Sequence, residues 1–529
     1  MKKLPIGIQY FGNIRSREND YYYIDKTDHI VDLVRHGKFL FLSRPRRFGK
    51  SLLLSTMEEA FLGNRELFRG LYLEDHWDWD RQHPVIHISF GSGVIRDVTE
   101  LRVVFEDMLD RILERQGIVL KGKAIRSRFM ELIERLSDRD GAPVVVLVDE
   151  YDKPILDNID KPAVATDIRD ELKNIYSVIK DADRYLKFVF ITGVSKFSKV
   201  SLFSGLNNLQ DITLHERYAT ICGYTHEEMV TTFAERLSGV DIDAVRRWYN
   251  GYNFLGEPVY NPFDILLFLD TKDFRSYWFE TGSPSFLIKL IEERHYPVPN
   301  LEKVLSSEQM LGAFDVDRID LEPLLFQTGY LTIRSRESIG SKIGYRMRFP
   351  NLEVKLSLTD AILDRLSGAP AVKENNQYRL YRCLEDADID GLRDIFHAFF
   401  ASIPNEWYAS SRVAAYEAFY ASVFYCYFTA IGLDVRVEDS TNIGRIDMAV
   451  IHGGRVYLFE FKVVELDTSP QKAIEQIRSR RYWEKYVGKG EIVLVGVEFS
   501  KTARNIVGYD WERIDSGSRE SSNDHEQGR

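Results

Sequence analysis

Short runs of consecutive apolar residues alternate with stretches of helical periodicity over the first part of the chain. The runs occupy residues 39–42, 85–88, 144–148 and 188–191. Strands that are covered on both faces are apolar throughout, whereas half-exposed strands alternate between apolar and polar residues. The pattern therefore predicts a parallel sheet with helices on both faces, within an α/β domain that spans residues 1–215.

The middle of the chain, residues 216–375, has mostly helical periodicity that is interrupted by proline and glycine. Near its end, β-like runs at residues 330–333 and 345–349 flank a polar loop, which predicts a β-hairpin. Because a hairpin that follows helices is typical of a winged helix, we expect a helical lid with a winged-helix region here.

Residues 376–515 open with helices and continue with β-like runs at 434–437, 445–451 and 456–461. A predicted helix over 470–486 and a strand over 492–497 complete a compact α/β domain. Residues 516–529 are polar, and we expect a disordered tail there. The sequence thus predicts a multidomain α/β protein with three domains and a tail.

Composition and charge narrow the class of protein. The net charge of the 529 residues is −11, so contacts with nucleic acid must use local basic patches. The three cysteines, Cys222, Cys383 and Cys426, are far apart, which disfavours a disulfide framework and favours a reducing, cytoplasmic location. We expect no membrane contact, because no apolar run reaches the roughly 18 residues of a span and residues 1–10 lack a signal-peptide core.

The strand at 39–42 enters a loop that ends in Gly49-Lys50-Ser51, before an amphipathic helix. This is the second half of a Walker A motif; Arg44 stands where the first glycine is usual. We expect Lys50 to neutralise the β- and γ-phosphates of ATP and Ser51 to bind Mg²⁺, while backbone amides at the helix start hold the phosphates. The predicted nucleotide-binding loop comprises Arg47, Phe48, Gly49, Lys50, Ser51 and Leu52. Taken alone, the tripeptide could equally be a chance occurrence at a helix start.

A second motif strengthens this prediction. The apolar strand at 144–148 ends in Asp149 and Glu150, as in a Walker B motif. Asp149 would hold Mg²⁺ and Glu150 would orient the attacking water. After the strand at 188–191, Thr192 or Ser195 could sense the γ-phosphate, although a capping or turn hydroxyl is the alternative. Both motifs follow the carboxyl ends of strands, where open α/β sheets bind ligands.

A different chemistry is indicated near residue 450. Two predicted strands flank a Gly-Gly turn, a strong hairpin signal. Because residues two apart share a face of a strand, Glu460 and Lys462 point one way, and Asp447 on the preceding strand can reach Glu460. We expect Asp447 and Glu460 to hold Mg²⁺, or Mn²⁺, and Lys462 to orient the attacking water. An exposed, solvated charged face is the alternative for the Glu-Lys pair alone.

Two further residues join this predicted metal site. Glu417 lies in an apolar helical stretch, 414–433, which we interpret as a buried helix; a glutamate there needs a partner or a metal. Gln476 lies on the helix that follows the strands and would complete the active site. The same helix carries basic residues that either contact DNA phosphates or form a solvated face: Arg478, Arg480, Arg481 and Lys485.

The predicted wing also has a basic stripe, formed by Arg334, Arg336, Lys342, Arg346 and Arg348. A basic wing favours DNA binding. Winged helices also serve as structural lids in ATPases, so both roles stay open for this region.

The chain resembles bacterial and archaeal proteins that have an AAA-ATPase-like N-terminal domain and a PD-(D/E)XK nuclease superfamily C-terminal domain. The resemblance covers nearly the whole chain and rests on residues 23–27, 43–51, 148–152, 192–198, 248–252, 260–262, 327–332, 401–404 and 459–462. It implies a P-loop NTPase sheet and a restriction-endonuclease-like C-terminal domain, and it marks Arg44 in the phosphate loop as a family trait.

These observations favour an ATP-binding and ATP-hydrolysing protein whose nucleotide state regulates a Mg²⁺-dependent nuclease. The expected partners are ATP and nucleic acid, with DNA favoured, and a homo-oligomer is compatible with the architecture. The alternative is a nucleotide-switched nucleic-acid-binding or signalling protein without cleavage activity. Intact Asp447, Glu460 and Lys462 favour the nuclease.

Overall fold

The structure of the chain is a computed structural model. It describes residues 1–196, 208–280, 285–294, 296–312, 319–340, 342–367, 370–403, 413–441, 444–466 and 472–514. The predicted tail at 516–529 and the end of the 192–198 motif lie outside these residues. The chain divides into two compact units: unit 1 comprises Met1–Leu287 and Leu301–Val354, and unit 2 comprises Ile288–Asn300 and Lys355–Arg529. The domain boundaries predicted near residues 215 and 375 stay predictions.

The strands are distributed along the described chain in four sheets. They are β1 (Phe39–Ser43), β2 (Val85–Ser89), β3 (Val144–Asp149), β4 (Leu186–Gly193), β5 (Gln210–Asp211), β6 (Asn250–Tyr252), β7 (Val259–Tyr260), β8 (Leu305–Ser307), β9 (Thr332–Ile339), β10 (Lys342–Arg348), β11 (Asp434–Ser440), β12 (Arg445–His452), β13 (Arg455–Val463), β14 (Glu491–Ser500) and β15 (Asn505–Ile514).

The helices before residue 300 are α1 (Phe11–Arg15), α2 (Thr27–His36), α3 (Lys50–Phe61), α4 (Leu73–His76), α5 (Val98–Gln116), α6 (Ile125–Asp140), α7 (Lys153–Leu156), α8 (Pro162–Asp181), α9 (His226–Thr232), α10 (Ile242–Tyr249), α11 (Pro262–Thr271), α12 (Tyr277–Glu280) and α13 (Ser285–Glu293). Those after it are α14 (Glu308–Leu311), α15 (Leu321–Thr328), α16 (Leu352–Ser367), α17 (Pro370–Asp386), α18 (Ile389–Ser402), α19 (Val413–Ala430) and α20 (Lys472–Arg480). No helix in the described ranges has the length and apolar character needed to cross a membrane.

The main sheet of unit 1 is parallel and has the strand order β2-β3-β4-β1-β5. Strands β1 and β3 are buried along their whole length, which is why the sequence shows unbroken apolar runs there. The predicted parallel sheet is confirmed. Because β1 and β3 both neighbour β4, the loops that follow them meet at the same edge of the sheet.

Helix α5 illustrates how local signals fix the helices around this sheet. The Asp97 carboxylate accepts a hydrogen bond from the backbone amide of Glu100 at 2.9 Å and so caps the first turn. Its buried side chains recur every four residues: Leu101, Phe105, Leu109 and Leu113. This spacing places them on one face, which packs into the protein interior.

The remainder of unit 1 is mainly helical, as predicted. An aromatic cluster, which includes Tyr22, Tyr249, Tyr260 and Phe268, packs the helices α9–α11 against residues near the N-terminus. Strands β9 and β10 pair in antiparallel fashion, and β8 pairs with β10, which confirms the predicted hairpin. The assignment of this region as a winged helix stays a prediction.

Gly329 marks a close contact between the hairpin region and the loop after β1. It ends helix α15 with a φ of +92°, and a Cβ at this position would lie 2.8 Å from the Pro45 Cβ. Real Cβ atoms do not approach so closely, so only glycine satisfies both the backbone angle and the space.

Unit 2 contains a mixed sheet with the order β11-β12-β13-β14-β15, in which only the β13–β14 pair is parallel. Helix α19 packs on one face through aromatic contacts, such as Phe424 with Phe461 at 5.0 Å between ring centroids. On the other face, Ile474 and Ile477 of α20 pack against Leu458. The predicted α/β domain and the predicted buried helix are confirmed.

Two details of unit 2 differ from the sequence-based expectation. The helix predicted over 470–486 ends at Arg480, because Arg481 adopts a left-handed conformation with a φ of +46° and a 3₁₀ turn, Tyr482–Tyr486, follows. Strand β15 was not predicted. Its residues alternate in character and lie at the edge of the sheet, where the apolar signal is weak.

A pair of acids is fully buried in unit 1. Asp264 on α11 and Glu353 on α16 each have 0% exposure. Glu353 accepts a hydrogen bond from the backbone amide of Trp278 at 2.9 Å. Burial, the charge of Glu353 and a hydrogen bond to it raise the pKa of Asp264 well above its ordinary value. The pair therefore retains a proton to a higher pH in the folded state than in the unfolded chain.

This raised pKa predicts that the stability of unit 1 falls as pH rises. The folded state binds a proton that the unfolded state has already released, so wild type loses stability from about pH 5 upwards. The slope reaches up to about 1.4 kcal/mol per pH unit. Relative to the Asp264→Asn/Glu353→Gln double variant, the thermal unfolding midpoint of wild type should fall between pH 5 and pH 9. Parallel pH profiles for the two proteins would contradict the shared proton.

Candidate functional site

The loop between β1 and α3 has the backbone of a phosphate-binding loop. Gly49 precedes the first residue of α3 with a φ of +90°, a conformation that side-chain-bearing residues rarely adopt. Arg47 also has a positive φ, +68°, which is unusual for a residue other than glycine. The loop thus leads directly into the N-terminus of α3, where anions are stabilised by free backbone amides.

Arg44, which stands in place of the usual first glycine, is fully buried. Its guanidinium donates hydrogen bonds to the carbonyls of Ser43, Thr213 and Tyr218 at 2.9–3.0 Å. It also lies 3.9 Å from the centroid of the Phe254 ring. Burial lowers the pKa of Arg44 to about 10, which still leaves it charged at neutral pH. Arg44 is therefore an anchor of the loop rather than a contact for a ligand.

The side chain of Phe48 also faces inward. It has 1% exposure and packs edge-on against Tyr252, with 4.8 Å between ring centroids. Of the predicted nucleotide contacts, Phe48 can therefore contribute only its backbone. Arg47, Gly49, Ser51 and Leu52 line an open cavity together with Lys50.

Lys50 is buried, and its ammonium group donates to the carbonyls of Arg44 and Pro45 at 2.9 Å each. Burial lowers its pKa, while the nearby acids Asp149 and Glu150 act in the opposite direction. The structure thus brings the predicted Walker A lysine close to the predicted Walker B acids, although the two motifs are about 100 residues apart.

The two acids after β3 have different surroundings. Asp149 has 4% exposure and accepts a hydrogen bond from the Thr192 hydroxyl at 2.8 Å. Glu150 adopts a φ of +50°, and its carboxylate is half-buried. Burial, followed by the charge of Asp149, raises the pKa of Glu150. Thr192 thus orients Asp149, while Glu150 faces the cavity.

Asp152 is a site residue that the sequence analysis missed. It is buried, and its carboxylate accepts hydrogen bonds from the amides of Val194 and Ser195, the latter at 2.5 Å. The Tyr151 hydroxyl donates to the Ser195 carbonyl at 2.9 Å. These bonds fix the backbone at Ser195, a predicted phosphate sensor. A third acid, closely following Asp149 and Glu150, was the available sequence signal.

The cavity beside the loop encloses about 420 Å³. This volume is in the usual range of small-ligand pockets, roughly 300–1,000 Å³. Basic residues (Arg46, Arg47, Lys50), the acid Glu150 and apolar side chains such as Ile8 and Phe263 share its lining. The cavity therefore combines groups that suit phosphates with a surface that suits a planar base.

The second group of predicted residues meets on the sheet of unit 2. Strands β12 and β13 pair up to Met448 and Phe459, so Asp447 and Glu460 come immediately after the last pair. The Asp447 carboxylate accepts a hydrogen bond from the Phe461 amide at 2.8 Å. The Lys462 ammonium lies 3.2 Å from the Glu460 carboxylate. The predicted convergence of two acids and a lysine is present in the structure.

Glu460 is the least solvated of these groups, with 1% exposure. One of its oxygens, Oε1, accepts a hydrogen bond from the Gln476 amide, while Oε2 has no hydrogen-bond partner within the described residues. Burial, followed by the charge of Asp447, raises the pKa of Glu460 to about 8. A buried carboxylate oxygen without a partner is the kind of group that a divalent cation satisfies.

Glu417 on α19 is half-buried and near this group. Burial raises its pKa, the charge of Lys462 lowers it, and that of Asp447 raises it. Within the part of the chain that the structure describes, however, Glu417, Asp447 and Glu460 do not form a three-ligand metal cluster. The structure thus fits a cation held by Asp447 and Glu460, with Glu417 near them.

Two residues on β14 position Gln476, and the sequence analysis did not identify them. A Cβ at Gly496, which pairs with Glu460, would lie 2.5 Å from the amide nitrogen of Ile474 on α20. The buried Glu498 carboxylate accepts a hydrogen bond from the Ala473 amide at 3.5 Å, near the start of α20. Close helix–sheet packing therefore brings Gln476 over Glu460.

Most of the predicted nucleic-acid contacts are engaged in ion pairs. On and after α20, Arg478 pairs with Glu512, Arg481 with Glu484 and Lys485 with Asp439. On the hairpin, Arg346 forms two hydrogen bonds with Glu337, and Arg336 lies 3.8 Å from Glu216. These acids reduce the positive potential of both predicted patches, and contact with DNA stays a prediction.

Comparison with known proteins covers both groups of residues. Residues 5–203 match the family described as "Predicted AAA-ATPase", and residues 415–509 match the PD-(D/E)XK nuclease superfamily. Over 509 residues the chain is 53% identical to an uncharacterised protein in the vnfD 5′ region of Azotobacter chroococcum mcd 1, with 96% of this chain and 98% of that protein covered. The chain belongs to the family of proteins that combine a predicted AAA-ATPase domain with a C-terminal PD-(D/E)XK nuclease superfamily domain.

Because Arg44 is buried, we expect that replacing it with the glycine usual at this position destabilises the protein. Arg44→Gly leaves three buried carbonyls without donors and removes the contact with Phe254, so we expect a loss of about 3–5 kcal/mol in the stability of unit 1. Chemical denaturation measures this loss. Arg17→Ala, which removes an exposed arginine paired with Glu66, is the control and should change stability little. Unchanged stability of Arg44→Gly would show that the loop does not need this anchor.

Proposed function

We propose that the chain binds and hydrolyses ATP in unit 1 and cleaves nucleic-acid phosphodiesters in unit 2, and that the nucleotide state regulates cleavage. The observation that carries the nuclease half is the buried Glu460 oxygen that has no hydrogen-bond partner among the described residues, beside Asp447 and Lys462. The observation that carries the ATP half is the meeting of Lys50 with Glu150 at one cavity, with the charge of Asp149 close to both.

In unit 1, Lys50 exchanges its hydrogen bonds to the loop carbonyls for bonds to the β- and γ-phosphates. Ser51 and Asp149 are the residues that would hold Mg²⁺. Thr192 fixes the orientation of the Asp149 carboxylate through their 2.8 Å hydrogen bond. Because burial raises the pKa of Glu150, this carboxylate suits the orientation of water and the acceptance of its proton.

In unit 2, Asp447 and Glu460 would hold the cation, Mg²⁺ or Mn²⁺. Such a cation polarises the phosphodiester and lowers the pKa of a bound water. Lys462 lies close enough to Glu460 to orient that water and to offset charge on the phosphate. Gln476 donates to one Glu460 oxygen, and the other oxygen would be the one available to hold the cation.

A nucleotide-switched nucleic-acid-binding protein without cleavage activity is the second candidate. It is favoured by the absence, within the described residues, of three acidic or histidine ligands arranged around one point. The same sheet could then grip nucleic acid through Lys462 and neighbouring basic residues. The nuclease remains the first proposal because Glu460 would otherwise bury an unsatisfied oxygen.

The ATP site predicts that Lys50→Ala weakens nucleotide binding by about 100-fold or more, because a buried ammonium no longer meets the phosphates. Titration with a fluorescent ATP analogue measures the affinity. Lys38→Ala is the matched control: Lys38 pairs with Asp183 at the amino end of β1, at the opposite edge of the sheet. ATP affinity that is equal in Lys50→Ala and wild type would refute the assignment.

The nuclease site predicts cleavage that depends on Lys462 and Asp447. Wild type, Lys462→Ala and Asp447→Ala are incubated with a panel of single- and double-stranded DNA and RNA, with Mg²⁺ or Mn²⁺, with and without ATP. We expect wild type to cleave and both variants to lose at least about 100-fold in rate. Lys489→Ala, an exposed lysine on the same unit, should retain activity.

The same panel separates the candidate functions. Cleavage that changes with ATP supports regulation by the nucleotide state, whereas equal cleavage with and without ATP argues against it. Nucleic-acid binding without cleavage by wild type favours the nucleotide-switched binding protein. Cleavage that survives Asp447→Ala places the metal site elsewhere.

A further inference from the structure

Besides the buried Arg44, the phosphate loop carries two arginines whose side chains are exposed, Arg46 and Arg47. Both line the cavity of about 420 Å³ together with Lys50 and Glu150. Within the described residues neither guanidinium forms an ion pair, whereas exposed arginines such as Arg17 and Arg139 do. Both guanidinium groups can therefore bind an anionic ligand in the cavity.

The two arginines are held differently. The guanidinium of Arg47 lies 4.8 Å from the centroid of the Phe263 ring, on the side of the cavity formed by α11. The carbonyl of Arg46 instead accepts a hydrogen bond from the Trp278 indole at 3.2 Å. This bond fixes the Arg46 backbone and leaves its side chain free to reach into the cavity.

Trp278 is itself a rigid support. It has 6% exposure, its ring packs against Tyr330 at 5.1 Å, and its backbone amide donates to the buried Glu353 at 2.9 Å. Arg46 and Glu150 both line the cavity. Arg46 thus shares the cavity with the residue that is proposed to orient water.

We propose that Arg46 acts in cis on the γ-phosphate of ATP, so that one subunit supplies the positive charge that many ATPases take from a neighbouring subunit. This inference rests on the proposed ATP site. In the reaction, the oxygen of water bonds to the γ-phosphorus and the bond from that phosphorus to the β–γ bridging oxygen breaks. ADP and inorganic phosphate are the products, and the proton of the water passes to Glu150. Arg46 offsets the charge on the transferred phosphoryl oxygens.

Another arginine near the sheet is poorly placed for this role within its own subunit. Arg184 immediately precedes β4, at the amino end of a parallel strand, and its guanidinium stacks on Tyr185 at 4.5 Å. The cavity lies at the carboxyl ends of β1 and β3. Arg184 and the phosphate loop therefore lie at opposite ends of the strands of this sheet.

The test compares wild type with Arg46→Ala, Arg46→Lys and the control Arg17→Ala. Steady-state ATPase rates are measured over a range of protein concentrations, and affinities are measured for ADP and for ADP with aluminium fluoride, an analogue of the transferred phosphoryl group. We expect Arg46→Ala to lower kcat on the order of 1,000-fold. Affinity for ADP should stay within about 3-fold of wild type, while affinity for ADP with aluminium fluoride falls on the order of 100-fold.

Arg46→Lys should recover little of the lost kcat, because an ammonium lacks the planar fork of a guanidinium. The kcat of wild type should not change with protein concentration. Wild-type affinity of Arg46→Ala for ADP with aluminium fluoride would overturn the inference. Recovery of activity on mixing Arg46→Ala with Lys50→Ala subunits would also overturn it, because the arginine would then act in trans. Failure of wild type to bind ADP would instead overturn the proposed ATP site.

Discussion

The phosphate loop of this protein depends on the burial of one guanidinium. A buried charge is costly unless it is compensated. The two terminal nitrogens of Arg44 donate to three carbonyls and its guanidinium lies over the face of Phe254, while its Nε has no hydrogen-bond partner within the described residues. These partners come from the segments after β5 and β6 as well as from β1. The conformation of the loop is therefore fixed by contacts with segments outside it. The buried Arg44 holds the loop at the position where a flexible glycine is usual. Lys50 and the two exposed arginines can then be displayed on a fixed backbone.

The carboxylate site of unit 2 follows a related physical logic. Glu460 is buried between a helix and a sheet, with Gln476 and Lys462 on one oxygen. The positive charge of Lys462 offsets part of the cost of burying the acid, but the remaining oxygen has no partner in the part of the chain that the structure describes. In both units, the proposed site lies where the fold leaves a charge incompletely compensated.

The sequence predicted the elements that have strong local signals. Unbroken apolar runs specified β1 and β3, and spacing by two placed Glu460 and Lys462 on one face. Contacts between distant segments could not be predicted: the burial of Phe48 against Tyr252, the clamp of Asp152 on Ser195 and the pairing of Arg346 with Glu337. Each depends on which side chains meet after folding. The break of α20 at Arg481 arises from a backbone angle that no residue type there demands.

The contact between Gly329 and Pro45 joins the end of α15 to the phosphate loop. Any side chain at position 329 would displace the loop, although the two positions are remote along the chain. In a random-mutagenesis screen, substitutions of Gly329 should therefore give the same phenotype as substitutions in the loop itself. Recombination that exchanged only one of these two segments between relatives would therefore separate parts that fit each other.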